Sequence, residues 1–121
     1  MKKTVLVVDD FEVNTYATGF ALTHAGYNVL KATSGKQALK LAAENQIDLL
    51  VTDYKMPEMD GVELIIALKQ NPRYKYIPVL VLTTETSQEK KEKAQDAGIT
   101  GWIQKPFNIE RFLKLVEKAL K

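Results

Sequence analysis

Three aspartates, a threonine and a lysine stand where short apolar runs end. Asp9 and Asp10 follow Val5-Leu6-Val7-Val8, and Asp53 follows Leu49-Leu50-Val51-Thr52. Thr83 closes Val79-Leu80-Val81-Leu82, and Lys105 follows Gly101-Trp102-Ile103-Gln104. If those runs are strands of one parallel sheet, all five side chains meet at its carboxyl edge, where open α/β sheets bind ligands. Three carboxylates crowded there repel one another, and a lysine with a hard divalent cation would offset them. Few carboxylates plus water suit Mg²⁺ better than an all-protein calcium cage. The lack of a histidine or cysteine cluster disfavours zinc. Cation, ammonium and hydroxyl together stabilise negative charge spread over phosphoryl oxygens. An aspartate carboxylate is itself a known type of phosphoryl acceptor.

The elements that must position these residues alternate along the chain. Val5–Val8 reads as a buried strand, followed by a helix on which Phe11, Tyr16, Ala17, Phe20, Ala21 and His24 recur at helical spacing until Gly26 stops it. The stretch 28–33 alternates as a second strand, and Ser34 caps a helix carrying Ala38, Leu39, Leu41 and Ala42. Leu49–Val51 is apolar throughout, as in a strand buried on both faces, and Met56-Pro57 turns the chain out of it. Gly61 opens a helix with Val62, Leu64, Ile65, Ile66 and Leu68 facing inward, ended by Asn71-Pro72. A fourth strand runs from Pro78 to Thr83, and Thr86 with Glu89 has capping-box spacing for a helix that Gly98 terminates. Gly101–Gln104 is the fifth strand. Asn108 then caps a helix with Ile109, Phe112, Leu113, Val116 and Leu120 on one face. Strand–helix alternation with short connections predicts a three-layer α/β/α sandwich around a five-stranded parallel sheet.

Size and composition bound the rest. The 121 residues suit a single domain over residues 1–121, with no room for an output domain. A net charge of +2 is far from the excess of a dedicated nucleic-acid binder, and no nucleic-acid partner is expected. The chain has no cysteine, which excludes a disulfide framework and a thiol nucleophile and fits a cytoplasmic setting. No apolar run approaches bilayer length, so no membrane partner is expected.

Together these residues resemble a response-regulator receiver domain of the CheY type over essentially the whole chain. The resemblance rests on Asp9-Asp10, Asp53, Met56-Pro57 with Asp60-Gly61, Thr83, and Lys105-Pro106-Phe107, in that order and each beyond a strand. It implies a flavodoxin-like fold with strand order 2-1-3-4-5. It also implies that Asp53 accepts a phosphoryl group from a histidine kinase or a histidine phosphotransfer protein, in a two-component switch of chemotaxis or similar single-domain type. Asp10, Asp53 and the backbone carbonyl of Lys55 would hold Mg²⁺, with Asp9 supporting the ion through water. Lys105 would pair with the phosphoryl group, and Thr83 would bond it and move inward. Trp102 stands where the family has a switching tyrosine or phenylalanine, and the Lys105-Pro106 peptide is expected to be cis. A downstream partner would read the face of helix 4, strand 5 and helix 5. Lys55 and Glu85 occupy positions that tune hydrolysis, and their opposite charges predict a bridge across the cleft mouth. Such a protein is not a conventional enzyme, although it catalyses its own phosphorylation from a donor and its own dephosphorylation.

A phosphorelay shuttle, which would pass the phosphate onward, stays open beside docking on a partner, and the sequence does not choose between them. Other readings fit less well. A phosphatase with Asp53 as turnover nucleophile would carry a second aspartate where Lys55 stands. A phosphorylation-independent scaffold would not need the acids, threonine and lysine together. Asp9-Asp10 alone could cap the first helix. His24 suits a helix C-terminus, and Arg73-Tyr74-Lys75-Tyr76 reads as a solvated loop. Ser34-Gly35-Lys36-Gln37 fails as the tail of a P-loop, because Leu30 replaces the first glycine and Gln37 the Ser/Thr.

Overall fold

Which apolar runs lie in the middle of the sheet follows from how completely apolar they are. A computed structural model of the chain describes residues 2–121. Its strands are β1 (Thr4–Val8), β2 (Asn28–Ala32), β3 (Leu49–Thr52), β4 (Val79–Thr83) and β5 (Gly101–Gln104). All pairings are parallel, in the order β2-β1-β3-β4-β5. The central strands β1, β3 and β4 are buried almost throughout, whereas the edge strands β2 and β5 keep partly exposed residues. That is the division expected when helices cover both faces of a parallel sheet.

The helices are α1 (Glu12–His24), α2 (Gly35–Glu44), α3 (Gly61–Lys69), α4 (Gln88–Ala97) and α5 (Ile109–Ala119). Successive strand residues feed opposite layers. Val5, Val7, Leu49 and Val51 meet Leu22 of α1 and Phe112 and Val116 of α5. Leu6, Val8, Leu50 and Val81 meet α2, α3 and α4. Ser34 and Asn108 cap α2 and α5 as expected, accepting from Gln37 N at 3.1 Å and Arg111 N at 3.0 Å. Gly98 ends α4 in the left-handed conformation at φ 95°.

Several sequence expectations differ from the structure. The aromatic row of α1 faces water: Phe11, Tyr16 and Phe20 are exposed, and the helix buries Thr15, Thr18, Gly19 and Leu22 instead. The reason is close packing on β2. A Cβ at Gly19 would lie 3.3 Å from Val29 Cγ1, so small residues must face the sheet. Ile66 of α3 and Ile109 of α5 are also exposed rather than inward. The α4 cap is Ser87, not Thr86, because Glu85 Oε1 binds Ser87 N and fixes the start of the helix one residue later. A capping box forms instead at α3, between Asp60 and Glu63. Asn71 lies beyond the end of α3 and caps a short 3₁₀ turn, Pro72–Tyr74. Tyr74 there is core: its buried hydroxyl sits 2.7 Å from the carbonyls of Ala42 and Asn45 and accepts from Ile47 N. No helix among the described residues is long and apolar enough to cross a membrane.

Candidate functional site

The parallel sheet brings Asp9, Asp10, Asp53, Thr83 and Lys105 to one edge, as the spacing predicted. Carboxylate oxygens of Asp9, Asp10 and Asp53 lie within 4.8 Å of one another. Backbone pairing continues past the strand ends and fixes where each side chain starts. Asp53 N donates to Val8 O at 2.9 Å, and Lys105 N donates to Thr83 O at 2.9 Å.

The two adjacent acids sit in different surroundings. Asp9 is buried, its Oδ1 accepting from Phe11 N at 3.0 Å. Its Oδ2 accepts from Asn14 Nδ2 at 3.1 Å and from Lys105 Nζ at 2.7 Å. Asp10 accepts no hydrogen bond among the described residues and faces two cavities. Neither acid is the α1 cap, whose position falls to Phe11 without a side-chain bond. Asp10 therefore has free lone pairs, while both carboxylate oxygens of Asp9 are bonded, Oδ2 to Lys105.

Asp53 is held from one side and open on the other. Its Oδ1 accepts from Tyr54 N at 2.7 Å, and Oδ2 lies 3.6 Å from Lys105 Nζ. The start of α3 is clamped beneath it, because Gly61 N donates to Tyr54 O at 2.7 Å and a Cβ on Gly61 would collide with the Asp53 carbonyl oxygen. The Lys105-Pro106 peptide is cis, as expected. Above Asp53 opens a cavity of about 420 Å³, bordered by Asp10, Phe11, Lys55, Met56, Pro57 and Thr84.

Thr83 is buried and its Oγ1 accepts from Glu85 N at 3.1 Å. Trp102 is half-buried and meets the Tyr54 ring edge-on at 5.9 Å. Burial, with the nearby charge of Asp60, pushes the Tyr54 phenol up. The expected Lys55–Glu85 bridge does not form. Glu85 pairs with Lys90 at 3.0 Å, and Lys55 has no ion pair among the described residues. The reason is local: α4 begins at Gln88, which sets Lys90 directly over the Glu85 carboxylate. The hydrogen bond from Lys90 holds the Glu85 carboxyl below the usual carboxylate range and raises the Lys90 ammonium.

Sequence reasoning missed Asn14, Tyr54 and Lys90. Asn14 lay within helical reach of Asp9, and Tyr54 stood next to Asp53, so both carried a positional signal. Lys90 gave none among the lysines of a strongly charged segment.

Comparison with known proteins agrees with this geometry. The family model described as the response regulator receiver domain matches residues 5–117. The chemotaxis protein CheY4 of Vibrio cholerae superposes with a TM-score of 0.95 at 40% identity, covering 99% of this chain and 100% of that one. The polar-differentiation response regulator DivK of Brucella ovis is 31% identical over 99% of this chain and 98% of its own length. Histidine kinase P4 of Formosa agariphila is 37% identical over 99% of this chain, which spans only 9% of that kinase.

Proposed function

The chain belongs to the response regulator receiver family of two-component systems, and from that premise we propose that Asp53 is its phosphoacceptor. The observation that carries this is Lys105 Nζ standing 2.7 Å from Asp9 and 3.6 Å from Asp53, in a cleft whose acids converge. One Asp53 oxygen attacks the phosphorus of a phosphohistidine. The P–N bond breaks, and the imidazole nitrogen leaves with the electron pair and takes up a proton. Lys105 turns from Asp9 towards the phosphoryl oxygens, and the Thr83 hydroxyl donates to one of them. Receiver domains generally bind Mg²⁺ at an acidic cluster, and the convergent hard oxygens fit that ion. Asp10, Asp53 and the Lys55 carbonyl would hold it, with Asp9 supporting through water. When bound, the ion neutralises charge developing on the transferred group.

Two surfaces extend this reading. The exposed row of Phe11, Val13, Tyr16 and Phe20 begins at the cleft mouth and supports docking of the histidine-bearing donor along α1. Movement of Thr83 and Trp102 would alter the face of α4, β5 and α5 for a downstream partner. Similarity to CheY4 and DivK supports a response-regulator switch, of chemotaxis or similar type. A relay shuttle is the second reading, favoured by the match to a segment of a much longer histidine kinase.

Trp102 fluorescence tests the acceptor role. Beryllofluoride with Mg²⁺ is expected to change it in the parent and to leave Asp53→Asn and chelator-treated protein unchanged. A parent that neither responds nor takes phosphate from a small phosphodonor contradicts the proposal.

A further inference from the structure

The mouth of the cleft carries an uneven set of charges. Lys55 borders the cavity above Asp53, together with Asp10 and Thr84. Glu85, the next residue after Thr84, does not border it. Its carboxylate is turned towards α4 instead, with Oε1 accepting from Ser87 N at 3.1 Å and Oε2 from Lys90 Nζ at 3.0 Å. Lys90 is itself anchored. Its N–H donates to Ser87 Oγ at 3.3 Å, and its ammonium lies 5.9 Å from the Tyr54 ring centroid.

This arrangement decides what an arriving anion meets. A phosphoryl group carries about −1.5 to −2 charges near neutrality. Asp10 and Asp53 already face it, so a third carboxylate at the rim would repel it further or neutralise Lys55 by pairing with it. The sequence spacing of Lys55 and Glu85 favours that pairing, and Lys90 forestalls it. Lys93, the other lysine of α4 with an ion pair among the described residues, is drawn to Glu89 at 3.6 Å instead.

We propose that Lys90 is a positioning residue that holds the Glu85 carboxylate away from the cleft mouth, leaving Lys55 unopposed to draw in an anionic phosphodonor. The inference rests on Asp53 being the acceptor. Lys90 touches neither donor nor acceptor, and its effect passes entirely through Glu85. Removing Lys90 should therefore matter only while Glu85 is present. Because Lys55 attracts by charge near solvent, the effect should also shrink as salt rises.

The test is the second-order rate of phosphorylation by acetyl phosphate with saturating Mg²⁺, in four proteins at low and high salt. They are the parent, Lys90→Ala, Glu85→Ala and the double variant. Lys90→Ala is expected to slow the reaction about three- to tenfold at low salt, with the gap closing at high salt. In the Glu85→Ala background the same change should alter the rate by less than about twofold. A Lys90→Ala rate equal to the parent, or an equal loss without Glu85, overturns the role of Lys90. NMR titration of the Glu85 carboxyl supplies a readout that needs no transfer: it should rise in Lys90→Ala, and an unchanged titration also overturns the role. A parent that takes no phosphate overturns the acceptor reading, and the role of Lys90 towards the donor falls with it.

Discussion

The cleft has two walls, and they are held by different kinds of contact. On one wall Lys105 reaches Asp9 across 96 residues of sequence, and Asn14 and Phe11 N complete the grip on the same carboxylate. On the other wall the side-chain bonds of Thr83, Glu85, Ser87 and Lys90 all stay within a single loop and the first turn of α4. The backbone of the first wall cannot shift without pulling on β1, β5 and α1. The second can rearrange while the sheet stays in place. Chemistry belongs on the wall whose geometry is fixed, and reporting belongs on the wall whose bonds are local and exchangeable.

The largest expected effect comes from the fixed wall. Lys105→Ala removes the ammonium facing the transferred group and should slow phosphorylation of Asp53 by roughly 10²-fold. Rates measured with a small phosphodonor check it, and a loss smaller than that of Lys90→Ala would reverse the ranking of the walls. Asn14→Ala should follow. It takes one donor from a buried carboxylate and should lower stability by about 1 kcal/mol. Chemical denaturation reads that loss, and an unchanged midpoint would mean the Asn14–Asp9 bond contributes nothing.

The smallest effect belongs to the local wall. The carboxyl of Glu85 is depressed from 4.5 and the ammonium of Lys90 raised from 10.5, so their pairing adds stability between those values. It is lost as pH falls through the lowered carboxyl value or rises through the raised ammonium value. Thermal midpoints of the parent and Lys90→Ala should differ by a small margin near neutrality and converge in acid. A difference that persists or grows in acid would contradict the pairing.

Much of the fixed wall was legible in the sequence, because it depends on strand ends. Leu49–Val51 is buried on both faces and delivers Asp53 to the sheet edge, as its apolar run indicated. Lys105 could be brought to the acids from the shared strand edge, its bond to Asp9 was not foreseen, and the strand order itself came from the family resemblance. The α1 face was not legible. Its aromatic spacing identified a helix, but Gly19 sets how closely that helix approaches Val29, and this sends the large residues outward. The local wall was illegible for a different reason. Lys55 and Glu85 looked paired by their offsets from Asp53 and Thr83, yet the start of α4 at Gln88 brings Lys90 to Glu85 first. One residue in a helix boundary decided which lysine won.

If Asp53 is the acceptor, it carries the phosphoryl group in place of Asp9 or Asp10. Borohydride reduction of the acetyl phosphate-treated protein converts an acyl phosphate on aspartate to homoserine, and peptide mass spectrometry then reads the position. Homoserine is expected at position 53 alone, dependent on Mg²⁺. Homoserine at position 9 or 10, or none anywhere in the chain, would contradict the acceptor role of Asp53.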